Sequence, residues 1–241
     1  MSIRHFISLL AGLLLLTSCF KITEQEYIYT NFYAFGTVYG QVLHIEPGGL
    51  DFVVTEDKTD GKWSAEPRIF FCCDVLQQVE TGRYSIRIKD YDSVISRAAL
   101  VKGATDESVY GSDAVSFYQD WGLDSKNRII NILALTTSLK NSDKVHTVNL
   151  VFDDARSHTD TLFYELRHQG FGESYENTGY EATDFQLDYN YLTFDLSGTI
   201  PSGAGESIVI SIEWDWFPAN DLSYMEREPE HQQACGILTL Q

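Results

Sequence analysis

The chain has 241 residues, 35 acidic against 17 basic side chains, a net charge of −18 and a pI near 4.5. A surface of that sign repels nucleic-acid phosphates, which excludes nucleic acid as a partner. Beyond its amino-terminal segment the chain keeps about 220 residues, a length that suits two domains.

The amino-terminal segment reads as a targeting signal. Arg4 is a minimal basic region, and Phe6 to Leu16 is almost wholly apolar. That run is too short for a bilayer span, which needs about 20 apolar residues, and suits a signal-peptide core. It closes on Leu16-Thr17-Ser18-Cys19, which resembles the bacterial lipobox: a branched residue, two small residues for the peptidase pocket, and a cysteine whose thiol takes diacylglycerol. Residues 1–18 are therefore expected to be a lipoprotein signal peptide, Cys19 the lipidation site and membrane anchor, and residues 19–34 a tether. The alternative is an ordinary secretory signal, with Cys19 a plain thiol. Phe20 stands where an inner-membrane retention aspartate would, so delivery to the outer membrane is expected. Each buried acyl methylene contributes about 0.8 kcal/mol, so several chains make such an anchor effectively permanent.

Period-two alternation then dominates, and no long amphipathic helix is evident. Gly36 to Ile45 and Leu50 to Val54 flank Glu46-Pro47-Gly48-Gly49, a hairpin signal. Ile69 to Leu76 is apolar, and in Arg83 to Lys89 the residues Tyr84, Ile86 and Ile88 share one face while Arg83, Ser85, Arg87 and Lys89 share the other. Strands of this number and spacing predict a small OB-like barrel over residues 35–100. Residues 101–112 are small and polar with two glycines and read as a linker.

From residue 113 to 241 six strand candidates follow: Ala114 to Trp121, Arg128 to Ser138, Val145 to Phe152, Thr161 to His168, Tyr189 to Leu196 and Ser207 to Phe217. They predict an antiparallel β-sandwich, and hence an all-β protein. Pro218 to Gln233 is expected as an acidic tail, with Cys235 to Leu240 a short edge strand. Cys72 and Cys73 point to opposite faces of one strand. Either could pair with Cys235, or all three could be small buried thiols. With the signal removed, the charge stands at −4 over residues 20–100 and −15 over residues 101–241.

Several motifs carry a resemblance. Phe35-Gly36-Thr37-Val38, Tyr84-Ser85-Ile86-Arg87-Ile88, Asp92-Ser93-Val94-Ile95, Asp113-Ala114-Val115-Ser116 and Trp121 look like those of the NigD-like lipoproteins of Bacteroidetes. So do His146 to Val151, Leu166-Arg167-His168 with Phe171-Gly172-Glu173, and Tyr191 to Leu196. The resemblance implies an OB-like domain followed by a β-sandwich. It supplies no catalytic residues, cofactor or metal to carry over, because the family has no established biochemical activity.

The residues themselves point to no enzyme. Phosphate loop, His-Glu-x-x-His and Cys-x-x-Cys are all missing from the sequence. Gly172-Glu173-Ser174-Tyr175-Glu176 lacks the second glycine of a nucleophile elbow, so Ser174 is not expected to be catalytic. His146 reads as a partly buried, hydrogen-bonded residue and His168 as loop-facing. Asp57 to Gly61 reads as a turn. The basic stripe Arg83, Arg87 and Lys89 suits a lipid headgroup or salt bridges to the acidic second domain. Glu213 and Asp215 read as a solvated strand face. Two classes stay open: a non-enzymatic binding module with a protein or glycan partner, and a glycosidase-like envelope hydrolase using two carboxylates. A cleft gathering carboxylates of raised pKa would mark the second. For the first, the long connection Gln169 to Asp188 offers Phe171, Tyr175, Tyr180 and Phe185 among carboxylates as a partner-binding surface, or else folds inward as strand.

Overall fold

The computed structural model describes residues 27–45, 48–104, 106–117, 121–173, 181–216 and 230–240, so Cys19, Ser174, Tyr175 and Tyr180 lie outside the described residues. Strands β1 (Tyr29–Tyr39), β2 (Val42–Ile45), β3 (Leu50–Asp57), β4 (Arg68–Glu80) and β5 (Arg83–Ser93) close into a barrel in the order β1-β2-β3-β5-β4. β3 and β5 run parallel and close the OB-like circuit. The predicted run Gly36 to Ile45 divides into two strands because Gly40, at φ +63°, lets the chain reverse between Tyr39 and Val42. Alternation alone does not show such a reversal.

Ile86 and Ile88 are fully buried in the barrel, with Phe52, Ile69, Phe71 and Cys73 around them. Trp63 joins them from a 3-10 turn, Lys62–Ala65. Its indole Nε1 donates to Asp57 Oδ2 at 2.9 Å, and Thr59 and Gly61 N–H also donate to that carboxylate. Burial pushes the Asp57 carboxyl up, but these hydrogen bonds outweigh it and hold the group below the usual range. The Asp57 turn is thus the latch that seats Trp63. Arg87 and Lys89 of the basic stripe pair with carboxylates of the barrel itself, where salt bridges to the second domain were expected. Arg87 Nε donates to Glu56 at 2.6 Å, and Lys89 Nζ lies 3.2 Å from Asp74.

The second domain is built from β6 (Ile95–Ala98), β7 (Leu100–Val101), β8 (Ser116–Phe117), β9 (Gly122–Asp124), β10 (Ile129–Leu139), β11 (Thr147–Phe152), β12 (Thr161–Gln169), β13 (Phe185–Asp195), β14 (Ser207–Trp216) and β15 (Glu230–Thr239). One sheet has the order β6-β13-β10-β8, with β9 also on β10; the other has the order β15-β14-β12-β11-β7. Ile130, Ile132, Leu150, Leu162, Leu192, Ile208, Ile210 and Ile212 form the core between them. Each such side chain contributes about 1.5–3 kcal/mol when fully buried. The expected antiparallel sandwich is in fact mixed, since β6/β13, β7/β11 and β12/β14 are parallel pairs.

Three boundaries shift. β1 begins at Tyr29, so residues 29–34, expected in the tether, belong to the barrel, where Phe32 and Ala34 pack against its core. Residues 95–101, read from sequence as the end of the barrel and the first residue of the linker, supply an outer strand to each sheet. Residues 106–112 of the expected linker are then docked rather than free. Asp106 caps a helical turn, Glu107–Tyr110, and buried Tyr110 donates from its hydroxyl to the Val101 carbonyl at 2.8 Å. Asn149 Nδ2 lies 3.2 Å from the Val109 and Tyr110 carbonyls. The polar tail is also shorter than expected, since Glu230 to Gln233 belong to β15.

The barrel meets the sandwich through β4. Arg68 donates to Asn131 Oδ1 at 2.8 Å and lies 3.6 Å from Asp124, and Phe70 stacks on Tyr191 at 4.6 Å. Cys72, Cys73 and Cys235 are free. Cys73 sits in the barrel core, where burial pushes its thiol up to about 12. Cys235 is exposed, not buried, because the odd residues of β15 face solvent.

Candidate functional site at a strand split

β12 and β14 run side by side from Thr161↔Val209 to Glu165↔Glu213, and then part. Residues 113–115 fill the gap: Asp113 N–H donates to the His168 carbonyl at 3.0 Å and Val115 N–H to the Asp215 carbonyl at 2.9 Å. Gly170 N–H donates to Asp113 Oδ2 at 2.8 Å and so orients that carboxylate. The insertion demands a glycine at 111. Its φ is +78°, and a Cβ there would run into the His168 carbonyl oxygen.

At the mouth of the split is a cleft of about 300 Å³, lined by four carboxylates, Asp113, Glu165, Glu213 and Asp215, together with Arg167, His231 and Trp214. Most of these carboxylates are set in a fixed frame. Glu165 accepts from Lys102 Nζ and from Arg167 Nε, each at 2.6 Å, and Lys102 also reaches Asp153 at 2.9 Å. Arg156 holds Glu213 with two hydrogen bonds, 2.8 and 2.6 Å, while its guanidinium lies 4.6 Å from the Phe163 ring centroid. A forked pair of this kind fixes geometry as well as charge. Asp215, with its side chain 57% exposed, lies 3.3 Å from His231 Nδ1.

This frame bears on the two function classes. The hydrogen bonds from Arg156 hold the Glu213 carboxyl below the usual range. A glycosidase general acid needs the opposite shift. An ionised, immobile carboxylate suits recognition of a cationic group.

The residues expected at a partner surface fall in different places. Phe171 is half-exposed with φ +58°. Its ring lies 6.3 Å from that of His146, with Lys144 Nζ 5.7 Å away. Phe185 opens β13 and is fully buried, so it belongs to the interior: the strand begins there and not at Tyr189. His146 is hydrogen-bonded as expected, with Nε2 3.2 Å from Glu173 Oε2 and Nδ1 3.2 Å from His168 Nε2. His168 is buried rather than loop-facing, and burial, then the neighbouring His146, lowers it to about 4. If His146 donates to Glu173, its other nitrogen accepts from His168, which fixes both tautomers. Among the described residues no cluster of His, Cys, Asp and Glu could hold a metal ion.

Sequence reasoning found Glu213 and Asp215 on one face but not the cleft. The missing signal was strand order, because β12 and β14 are neighbours in space without being consecutive in the chain.

Residues 98–197 match the family described as the NigD-like C-terminal beta sandwich domain. No curated protein matches the sequence. Among solved structures, a NigD-like immunity protein from Bacteroides caccae is similar at 15% identity and a TM-score of 0.56, over 86% of this chain and 93% of that one. An inferred toxin-related protein from Parabacteroides distasonis is 18% identical with a TM-score of 0.55, over 85% and 92%. An inferred lipoprotein from Bacteroides fragilis is 14% identical with a TM-score of 0.55, over 87% and 99%. At these identities the likeness shows the fold. Residues 98–197 of this chain are therefore a NigD-like C-terminal β-sandwich domain, as the sequence motifs implied.

Proposed function

We propose that the chain is an outer-membrane lipoprotein, anchored through Cys19, whose sandwich binds a partner's basic group at the cleft between β12 and β14 without catalysing a reaction. The observation that carries this reading is the ion-pair frame around the split, which fixes the carboxylates of Glu165 and Glu213 in place. Charge supports it, since the acidic excess is concentrated in residues 101–241. Such a field steers a basic partner toward the face and speeds encounter. A solved relative described as an immunity protein is compatible with a role in binding and neutralising another protein.

The test has two arms. Cys19→Ala is expected to abolish incorporation of labelled palmitate and release the protein from the membrane fraction; unchanged labelling contradicts the anchor. For the cleft, a photo-crosslinking side chain at Arg167 is expected to capture a partner in intact cells. Adding Asp215→Lys is expected to lower the yield about tenfold, because a like charge at a binding face costs more than about 1.4 kcal/mol. An undiminished yield would remove the cleft from the contact.

A further inference from the structure

We infer that the outer edge of β15 receives an extended, basic segment of a partner protein as an added β-strand. The inference rests on the cleft reading, because edge and cleft meet at His231.

β15 pairs with β14 in unbroken antiparallel register from Trp216↔Glu230 to Ser207↔Thr239. Leu240 N–H donates to the Glu206 carbonyl at 2.7 Å. In an antiparallel ladder successive residues alternate between bonding one neighbour and the other. Gln232, Ala234, Gly236 and Leu238 therefore bond β14, while His231, Gln233, Cys235, Ile237 and Thr239 turn their N–H and C=O groups to the opposite side. Thr239 confirms the parity, because its N–H meets Ser125 Oγ on that side at 3.2 Å. Among the described residues, no other group pairs with that edge of β15.

Long open edges are templates for pairing, and folded proteins blunt them by shortness, bulges, lysine or proline. The other outer strands of the two sheets follow the rule: β6 has four residues, β9 three, and β7 and β8 two each. β15 has ten residues with no bulge, lysine or proline. Trp121 packs on Gly236 and Ser125 takes Thr239, so among the described residues the open stretch runs from His231 to Ile237.

The flanking chemistry selects the occupant. At one end, Ile237, 66% exposed, pairs across the ladder with Val209, which is also exposed. At the other, His231 lies beside Asp215 and Glu213. An added strand with an apolar side chain opposite Ile237 and a lysine or arginine opposite His231 matches both ends. Charge argues against a second copy of this chain, because each copy carries −18.

The test places a photo-crosslinking side chain at Gln233 in intact cells and maps the captured peptide by mass spectrometry. The expected adduct is a lysine- or arginine-containing segment of another protein. Its yield is expected to fall about tenfold in Ile237→Lys, which sets a charge on the edge, and in Cys235→Pro, which deletes an outward-facing N–H. Ile237→Lys decides the matter if the proline variant melts lower than the parent. Capture of this chain's own residues, of a segment without basic residues, or an undiminished yield in Ile237→Lys would overturn the inference. Loss of capture at Gln233 with capture retained at Arg167 removes the edge and leaves the cleft; loss at both removes both.

Discussion

Burial and the neighbouring His146 keep the His168 imidazole neutral down to about pH 4, whereas in the unfolded chain it titrates near its ordinary value of 6.5. The unfolded chain therefore takes up the proton first as pH falls. The contribution is fully present above about pH 6.5 and is lost toward about pH 4, to a limit of about 3 kcal/mol. Glu173 adds in the same direction. Burial pushes its carboxyl up, but hydrogen bonds from Ser142, Lys144 and His146 together bring it below the usual range, so it too loses stabilisation in acid. Melting temperatures of the parent and His168→Gln across this range provide the check. The variant is expected to show a flatter fall with acidification, and an equally steep one contradicts the assignment. At this scale the sequence spoke for His146 but not for His168. The period-two pattern puts His168 on the same face as Leu166 and Tyr164, yet its place beside Gly170 suggested an exposed strand end. The inserted segment 113–115 covers that end, and no local pattern announces it.

β6 and β7 show what alternation can and cannot convey about elements. Each is too short to present a period, and each gains its identity only from a parallel neighbour distant in the chain, β13 or β11. β12 was legible because it buries every second residue over nine positions, β14 because Ile208, Ile210 and Ile212 share a buried face, and β10 as a long β-branched and apolar run that is buried over ten of its eleven residues. β15 was legible only at its apolar end, since Glu230-His231-Gln232-Gln233 has no alternation of apolar and polar residues. A fragment of residues 94–241 retains all ten sandwich strands and is expected to unfold in one cooperative transition. A fragment of residues 111–241 lacks β6 and β7, leaves the edges of β13 and β11 open, and is expected to melt lower. Calorimetry on the two fragments checks this, and equal melting temperatures would show that β6 and β7 add nothing to the sandwich.

For the whole molecule, the fold class and the barrel-then-sandwich order were readable from strand spacing, and the NigD-like resemblance agreed with them. The proposed binding face was not readable, because it depends on which strands lie side by side. Only the structure brings Asp113, Glu165, Glu213 and Asp215 to one cleft and sets it beside the open edge of β15. On the proposed function, this face, and not the barrel or the corner at Phe171, meets the partner. Hydrogen–deuterium exchange on the captured complex against the free protein tests it most directly. The account predicts slowed exchange at residues 112–115, 163–167, 211–215 and 231–237, with the barrel unchanged. Protection confined to the barrel strands or to residues 169–173 would contradict it.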